Sequence, residues 1–222
     1  MGYGIIVRVQ GPYALFTRPE MKVERVSYDV ITPSAARGII EAIYWKPAIR
    51  WVIDKIHVLR DIQFTNIRRN EVSDKVSVDN AQQVMKGANK PLYIAATEAR
   101  QQRAAMVLKD VDYVIEAHFE KVDHEWGERD TEEGHYNIIL RRLRNGQHFH
   151  APSLGTREFG ATVTLIEDRR AIPKSPLSGR RDLGYILYDL DFSDPDNVQP
   201  MFFRAIMEDG VIVVPHREEV RR

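Results

Sequence analysis

The chain has 222 residues, with 32 basic and 32 acidic side chains and a formal net charge of zero. Because it contains no cysteine, disulfides and thiolate metal sites are excluded. Its longest apolar runs fall far short of the roughly 20 residues that a membrane-spanning helix needs. The N-terminal stretch MGYGII lacks the basic-then-apolar pattern of a secretory signal. These features predict a cytoplasmic protein, long enough for one large domain or two small ones.

The balanced total charge hides two blocks of opposite sign. Residues 120–133 contain seven acids and two bases, whereas residues 141–181 contain nine bases and three acids. A basic block is what a phosphate-binding surface requires, because neutralising phosphates releases condensed counterions. Alternating charge blocks are equally typical of solvated surfaces, so charge alone leaves both interpretations open.

The N-terminal third of the chain predicts a strand, a helix and a second strand. Alternating apolar residues predict a short strand over residues 6–9, broken by the Gly-Pro pair that follows. A hydroxyl cap followed by proline, Thr32-Pro33, predicts the start of a helix, which Pro47 ends. Residues 49–67 alternate well enough to predict one long strand.

The middle of the chain contains a polar segment between two regular parts. Residues 66–91 are too long for a plain connection in a compact domain and predict a protruding hairpin or mobile excursion. From Leu92 the chain is strand-like again, through the alternating stretch DVDYVIEAHFE. An acidic loop then precedes a helix over residues 132–144, and the segment ATVTLIE predicts a further strand.

This order of elements indicates an α+β fold. The predicted order is strand, helix, strand, strand, helix, strand. This is the order of a ferredoxin-like, split βαβ unit, here covering residues 1–167. A basic linker rich in Pro, Ser and Gly follows, and the remaining strands predict a small antiparallel β domain over residues 168–222. The turn of its last hairpin is predicted at Glu208-Asp209-Gly210.

A set of motifs occurs together and in one order: SYDVITPSAARGIIEAIYWKP, IQFTNIR, DVDYVIEAHF, HYNIILRRLRNG, LGTREFGA and AIMEDGVIVVP. As a set they resemble the CRISPR-associated Cas five proteins of subtype I-C, also called the Dvulg subtype. The resemblance implies a ferredoxin-like RAMP domain followed by a small β domain. It also implies a metal-independent endoribonuclease without a cofactor, which cuts precursor CRISPR RNA at each repeat. Such a protein holds the 5′ handle and stays with other subunits of the interference complex.

The same resemblance implies a catalytic pair, Tyr44 and His135. The family has a lysine directly before the histidine, but this sequence has Gly134 there. That departure puts the efficiency of cleavage in doubt and leaves binding intact. A non-catalytic subunit that only binds the crRNA handle therefore remains as an alternative.

Cutting RNA without a metal requires groups that move two protons. One must leave the attacking 2′-hydroxyl and one must reach the departing 5′-oxygen, which produces a 2′,3′-cyclic phosphate and a 5′-hydroxyl. His135 suits either task, because a reference pKa of about 6.5 allows both of its forms near neutrality. Tyr44, expected in the last turn of its helix, has a reference pKa of about 10 and suits orientation or proton donation.

Basic side chains near these two residues predict the RNA-binding surface. Two arginines lie at the base of the 66–91 segment, where the resemblance predicts a thumb hairpin, and others lie in the basic block. For each arginine alone, a surface salt bridge is the alternative. The predicted RNA-binding residues are Lys46, Arg68, Arg69, Arg141, Arg142, Arg144 and Arg157.

Two other classes of protein compete with this interpretation. A metallohydrolase could use a histidine-rich set, although no matching carboxylate spacing accompanies it. A reader of single-stranded RNA could stack bases on sheet aromatics, but the adjacent Phe202 and Phe203 point to opposite faces of a strand. The candidate metal ligands would be His118, Asp123, His124, His148 and His150.

Overall fold

A computed structural model describes residues 3–21, 23–194 and 196–220. The fold is α+β, with a mostly antiparallel sheet and three α-helices among the described residues. None of the helices in these ranges is long and apolar enough to cross a membrane. The strands are β1 (Gly4–Ala14), β2 (Arg25–Val26), β3 (Ile49–Val58), β4 (Phe64–Val72), β5 (Arg100–Lys121), β6 (Thr162–Leu165), β7 (Arg180–Asp191), β8 (Gln199–Glu208) and β9 (Val211–Val213). The helices are α1 (Pro33–Ile43), α2 (Val78–Met85) and α3 (Glu132–Arg144).

The sheet is organised around the 22-residue strand β5. Its strand order is β6-β1-β5-β3-β9-β8-β7, and β2 and β4 also pair with β5. The N-terminal half of β5 pairs with β4, and its C-terminal half lies between β1 and β3. Asp110, with φ of 49°, lies between these two halves. One strand therefore belongs both to the main sheet and to a protruding ribbon.

Helix α1 begins where the sequence predicts it, but it ends at Ile43, before the predicted stop at Pro47. The Thr32 hydroxyl accepts from Ala35 N, and Pro33 occupies the first helical position, where its missing N–H costs nothing. Ile39 and Ile40 then bury their side chains in a core shared with Ile139 of α3. The two helices thus pack on the sheet through one continuous apolar cluster.

Two predicted strand boundaries are wrong. Strand β1 continues through Gly11-Pro12, because its ladder with β5 skips Pro12, which has no N–H to donate. The stretch 49–67 is two strands rather than one, with an interruption between Val58 and Phe64. After the interruption the chain pairs with a different part of β5. Pairing between distant segments decides these boundaries, and the alternation of residues within one segment does not show which segments will pair.

The polar segment 66–91 forms part of a hairpin, as predicted. Strand β4 pairs antiparallel with β5 from Phe64 opposite Leu108 to Val72 opposite Arg100. The connection between them contains α2, which has no buried residue. The strand expected to begin at Leu92 begins only at Arg100.

The C-terminal strands are joined to the main sheet by hydrogen bonds. Strand β9 pairs with β3, and β8 and β7 follow outward from it. The predicted turn before β9 is present, with positive φ at Asp209 and Gly210. The proposed boundary between residues 167 and 168 stays a prediction.

A buried ion pair connects α1 to β7. Both terminal nitrogens of Arg37 bond the Asp189 carboxylate, which is 7% exposed. We expect Arg37→Met to destabilise the protein by about 3 kcal/mol or more, because it leaves a buried carboxylate without its counter-charge. Urea unfolding measures this change.

The matched control is Arg204→Met, which breaks the exposed pair between Arg204 of β8 and Asp182 of β7. We expect its unfolding midpoint to equal that of the wild type. Equal midpoints for Arg37→Met and Arg204→Met would show that the buried pair does not hold β7 to α1.

Candidate active site

Tyr44 lies directly after α1 rather than in its last turn, contrary to the prediction. Its backbone is extended, with φ of −149° and ψ of 117°, and its N–H donates to Ile40 O. The Trp51 indole donates to the Tyr44 carbonyl at 2.9 Å. The helix end therefore turns the phenol inward, and β3 holds it there through Trp51.

His135 lies in the first turns of α3. Thr131 caps this helix, and its hydroxyl accepts from Gly134 N at 3.0 Å. The imidazole points into the core and packs against Phe119 and Trp126, with ring centroids 6.2 and 5.3 Å away. Its position on the buried side of an amphipathic helix follows from the spacing to Ile139 and Leu143, which are buried on the same side.

The structure brings the two predicted residues into direct contact. Tyr44 Oη lies 2.7 Å from His135 Nδ1, a hydrogen bond that joins the end of α1 to the start of α3. The two residues are only 2% and 4% exposed. A phenol and an imidazole in contact can exchange a proton, but in this conformation neither polar atom is open to solvent.

The cover over His135 comes from the acidic loop before α3, a role that the sequence alone does not reveal. Trp126 lies against one side of the imidazole, and Lys121 lies over the indole at 5.1 Å. Asp130 Oδ1 approaches His135 Nε2 at 3.3 Å. The sequence signal for this loop was its excess of acids, which indicates charge but not what the loop contacts.

Arg142 of α3 contacts the other side of Tyr44. Its guanidinium lies 5.2 Å from the phenol ring centroid and donates to Ile43 O. Burial raises the pKa of Tyr44, and the nearby Asp130 carboxylate adds to this, whereas Arg142 acts in the opposite direction. The phenol therefore keeps its proton at neutral pH, which favours hydrogen-bond donation over action as a base.

The other predicted RNA-binding residues divide into two groups. Arg69 pairs with Glu158, and Arg144 binds Glu167 through two nitrogens, so both charges are already neutralised. The remaining four are exposed, and within the described ranges they have no ion pair. These are Lys46, Arg68, Arg141 and Arg157.

Arg157 lies beside a groove between α1 and the loop that follows α3. Gly38 of α1 lines one side, and Ser153 and Gly155 line the other. Gly155 has φ of +91°, and a Cβ there would lie 1.9 Å from Leu15 O, so only glycine fits this close approach.

The competing metal and stacking sites lack support in the described residues. No group of three or more His, Cys, Asp or Glu side chains in these ranges could hold a metal ion. His118 is bonded instead to Asp54, whose carboxylate raises the pKa of this histidine. Phe203 is buried and Phe202 lies on the opposite face of β8, as the alternation predicts.

The fold and the site together define an α+β protein in which a tyrosine and a histidine from two helix ends form a buried pair. Comparison with known proteins then identifies the family. The chain belongs to the CRISPR-associated protein (Cas_Cas5) family, whose sequence model matches residues 4–215.

Relatives over the full length agree with this assignment. The chain is 50% identical to a protein of Mannheimia succiniciproducens named "CRISPR pre-crRNA endoribonuclease Cas5d", with all of both chains covered. It is 39% identical to a protein of Thermus thermophilus with the same name, covering 94% of this chain and 90% of that one. A crystal structure titled as a CRISPR-associated protein is similar at a TM-score of 0.72 and 25% identity, covering 100% and 97% of the two chains.

Proposed function

We propose that this chain is a metal-independent endoribonuclease that binds precursor CRISPR RNA and cuts its repeats. In this proposal it retains the crRNA 5′ handle within a type I-C interference complex, together with that complex's other subunits. It acts in the cytoplasm, where precursor transcripts are made, and it needs no cofactor. Both curated relatives are named as pre-crRNA endoribonucleases, which supports the activity. The observation that carries the proposal is the 2.7 Å contact between Tyr44 Oη and His135 Nδ1.

The proposal includes a ferredoxin-like domain over residues 1–167 and a small β domain over 168–222. The strand order β6-β1-β5-β3 supports it, with α1 between β1 and β3 and α3 between β5 and β6. This arrangement brings the end of α1 and the start of α3 together. The topology thereby accounts for the meeting of two residues that are 91 positions apart in the chain.

In the proposed reaction the 2′-oxygen attacks the neighbouring phosphorus and the bond from phosphorus to the 5′-oxygen breaks. The 2′-hydroxyl loses its proton and the 5′-oxygen gains one, leaving a 2′,3′-cyclic phosphate and a 5′-hydroxyl. Tyr44, with its raised pKa, serves as a donor, and the His135 imidazole in contact with it accepts and returns protons. Because both groups are buried, the loop carrying Trp126 has to move before RNA reaches them.

Incubating the purified protein with repeat RNA in EDTA, which removes free metal ions, tests this proposal. We expect a discrete product that ends in a 2′,3′-cyclic phosphate, and we expect a 2′-deoxy nucleotide at the cut site to prevent its formation. If the protein gives no product and also no gel shift with repeat RNA, the whole proposal is overturned.

A second candidate function is a handle-binding subunit without catalysis. The observations that favour it are the burial of the Tyr44–His135 pair and the glycine at position 134. In this case the hydrogen bond between the two rings would be a structural connection between α1 and α3. A tight gel shift with repeat RNA, without any product in the same assay, would favour this candidate over the nuclease.

Salt is expected to weaken RNA binding steeply. If the four exposed cations each neutralise one phosphate, log K falls against log salt with a slope of about −3. Doubling the salt concentration then lowers the affinity about sevenfold. Fluorescence anisotropy with labelled repeat RNA measures the slope.

One variant and one control test whether the four exposed cations cause the slope of log K against log salt. Arg157→Gln should make the slope shallower by about 0.7, because one phosphate contact is lost. Arg204→Gln removes an arginine of β8 that is already paired with Asp182, and it should leave the slope unchanged. A flat salt dependence of the wild type would exclude the predicted basic surface from the binding site.

A further inference from the structure

One nitrogen of the buried His135 ring has no hydrogen bond. Nδ1 bonds Tyr44 Oη, but Nε2 is shielded from solvent and lacks a hydrogen-bond partner within the described ranges. The group that faces it is the Asp130 carboxylate, whose Oδ1 lies 3.3 Å away without forming a hydrogen bond. An unsatisfied buried nitrogen next to a carboxylate needs an explanation, because such groups are costly when they serve no purpose.

Asp130 is held in place at this position. Its other oxygen accepts from Gly127 N at 2.8 Å, and the next residue, Thr131, caps α3. The Asp130 side chain is 32% exposed, whereas the imidazole is almost fully buried. The carboxylate therefore lies between the buried pair and solvent, within ion-pair distance of the imidazole.

We propose that Asp130 is a positioning residue for the proposed cleavage reaction. Its carboxylate keeps the proton of the neutral His135 ring on Nε2 and provides the counter-charge when the ring takes up a second proton. This inference rests on the proposed function, and it assigns a task to a residue that the sequence motifs do not include.

The chemistry of the two acceptors leads to this assignment. An ionised carboxylate only accepts hydrogen bonds, so a bare Nε2 facing it would place two lone pairs against each other. A proton on Nε2 removes this repulsion and leaves the lone pair on Nδ1, where the Tyr44 hydroxyl donates. The nitrogen available to accept a proton is then the one on the Tyr44 side of the ring.

The surroundings of the ring contain no competing counter-charge among the described residues that contact it. Phe119 and Trp126 are the neighbouring rings, and the cation of Arg142 lies beyond Tyr44, over the face of the phenol ring. Asp130 is thus the one negative charge in contact with the imidazole in the described part of the chain. When the ring becomes an imidazolium, this carboxylate is the group that balances it.

The first test uses the wild-type protein without RNA. Nitrogen-15 NMR of labelled histidines at about pH 8, where a reference histidine is neutral, reports which ring nitrogen carries the proton. The His135 signals are identified by their loss in His135→Gln. We expect the proton on Nε2 and a bare Nδ1. A proton on Nδ1 would overturn the inference, whether or not the protein cleaves RNA.

The second test separates positioning from simple charge effects on RNA. Asp130→Asn removes a negative charge next to a polyanionic substrate, so a purely electrostatic role predicts tighter binding and equal or faster cleavage. A positioning role predicts that kcat falls about tenfold or more while KM stays the same or decreases. The matched control is Glu128→Gln, which makes the same charge change at an exposed position of the same loop.

These outcomes distinguish the inference from the proposed function. A loss of kcat in Asp130→Asn, with Glu128→Gln at the wild-type kcat, supports the positioning role. Equal kcat values for the two variants overturn it and leave the nuclease proposal intact. A wild-type protein without any cleavage overturns the proposed function, and the NMR result still decides how Asp130 acts on His135.

Discussion

Tyr44→Phe and His135→Gln are each expected to lower the rate of repeat-RNA cleavage in EDTA at least about 100-fold. Each substitution removes one partner of the 2.7 Å hydrogen bond and one group that moves a proton. RNA affinity should stay at the wild-type level, because neither buried ring contributes a cation to the exposed surface. Single-turnover cleavage and a gel shift measure the two quantities separately.

Stability has to be controlled in this experiment. Tyr44→Phe leaves His135 Nδ1 without its partner in a buried place, which costs about 1–3 kcal/mol. Cleavage is therefore compared well below the unfolding temperature of each variant. His216→Gln, which replaces a half-exposed histidine near the C-terminus, should cleave at the wild-type rate.

The double variant provides a sharper test of the pair. If the phenol and the imidazole act as one unit, Tyr44→Phe combined with His135→Gln should be about as slow as either single variant. Independent roles would instead multiply the two losses. Wild-type rates in both single variants would show that the hydrogen bond is structural and would favour the handle-binding subunit.

Helices α1 and α3 were predictable from local signals, whereas α2 and the strand boundaries were not. Thr32-Pro33 contains both a cap and a preset backbone angle, and the α3 prediction rests on its apolar periodicity, so the sequence indicates where each helix begins. Strand β5 gives no such signal, because its length depends on which partners pair with each half. A 22-residue strand shared by two pairings follows from contacts between distant segments, which alternation within one segment does not encode.

The site was predictable only in part, for the same physical reason. The resemblance identified Tyr44 and His135, and their contact follows from the topology that joins α1 and α3. Arg144 was expected to bind RNA because of its charge, but in the fold Glu167 neutralises that charge. Asp130 belonged to an acidic block in the sequence, and only folding brings its carboxylate next to an imidazole.

The glycine at position 134 provides the second large expected effect. Gly134→Lys places an ammonium group on the residue before His135, where it can stabilise the charge that develops on the phosphate. An added donor for this charge should raise the cleavage rate by about one to two powers of ten. Single-turnover cleavage of repeat RNA in EDTA measures the gain.

Gly134→Ala separates the effect of the lysine charge from the effect of adding a side chain beside the helix cap. A Cβ at position 134 would lie 2.8 Å from Thr131 Oγ1, the atom that caps α3, so the cap must shift. Disturbing the cap costs about 1 kcal/mol, whereas replacing a helical glycine returns about as much. Gly134→Ala and Gly134→Lys should therefore have similar stabilities, but only the lysine variant should gain rate. The lysine also opposes the helix dipole, so its stability should not exceed that of the alanine variant. A rate gain in Gly134→Ala would attribute the effect to movement of the cap, and no gain in either variant would show that a cation at this position does not limit cleavage.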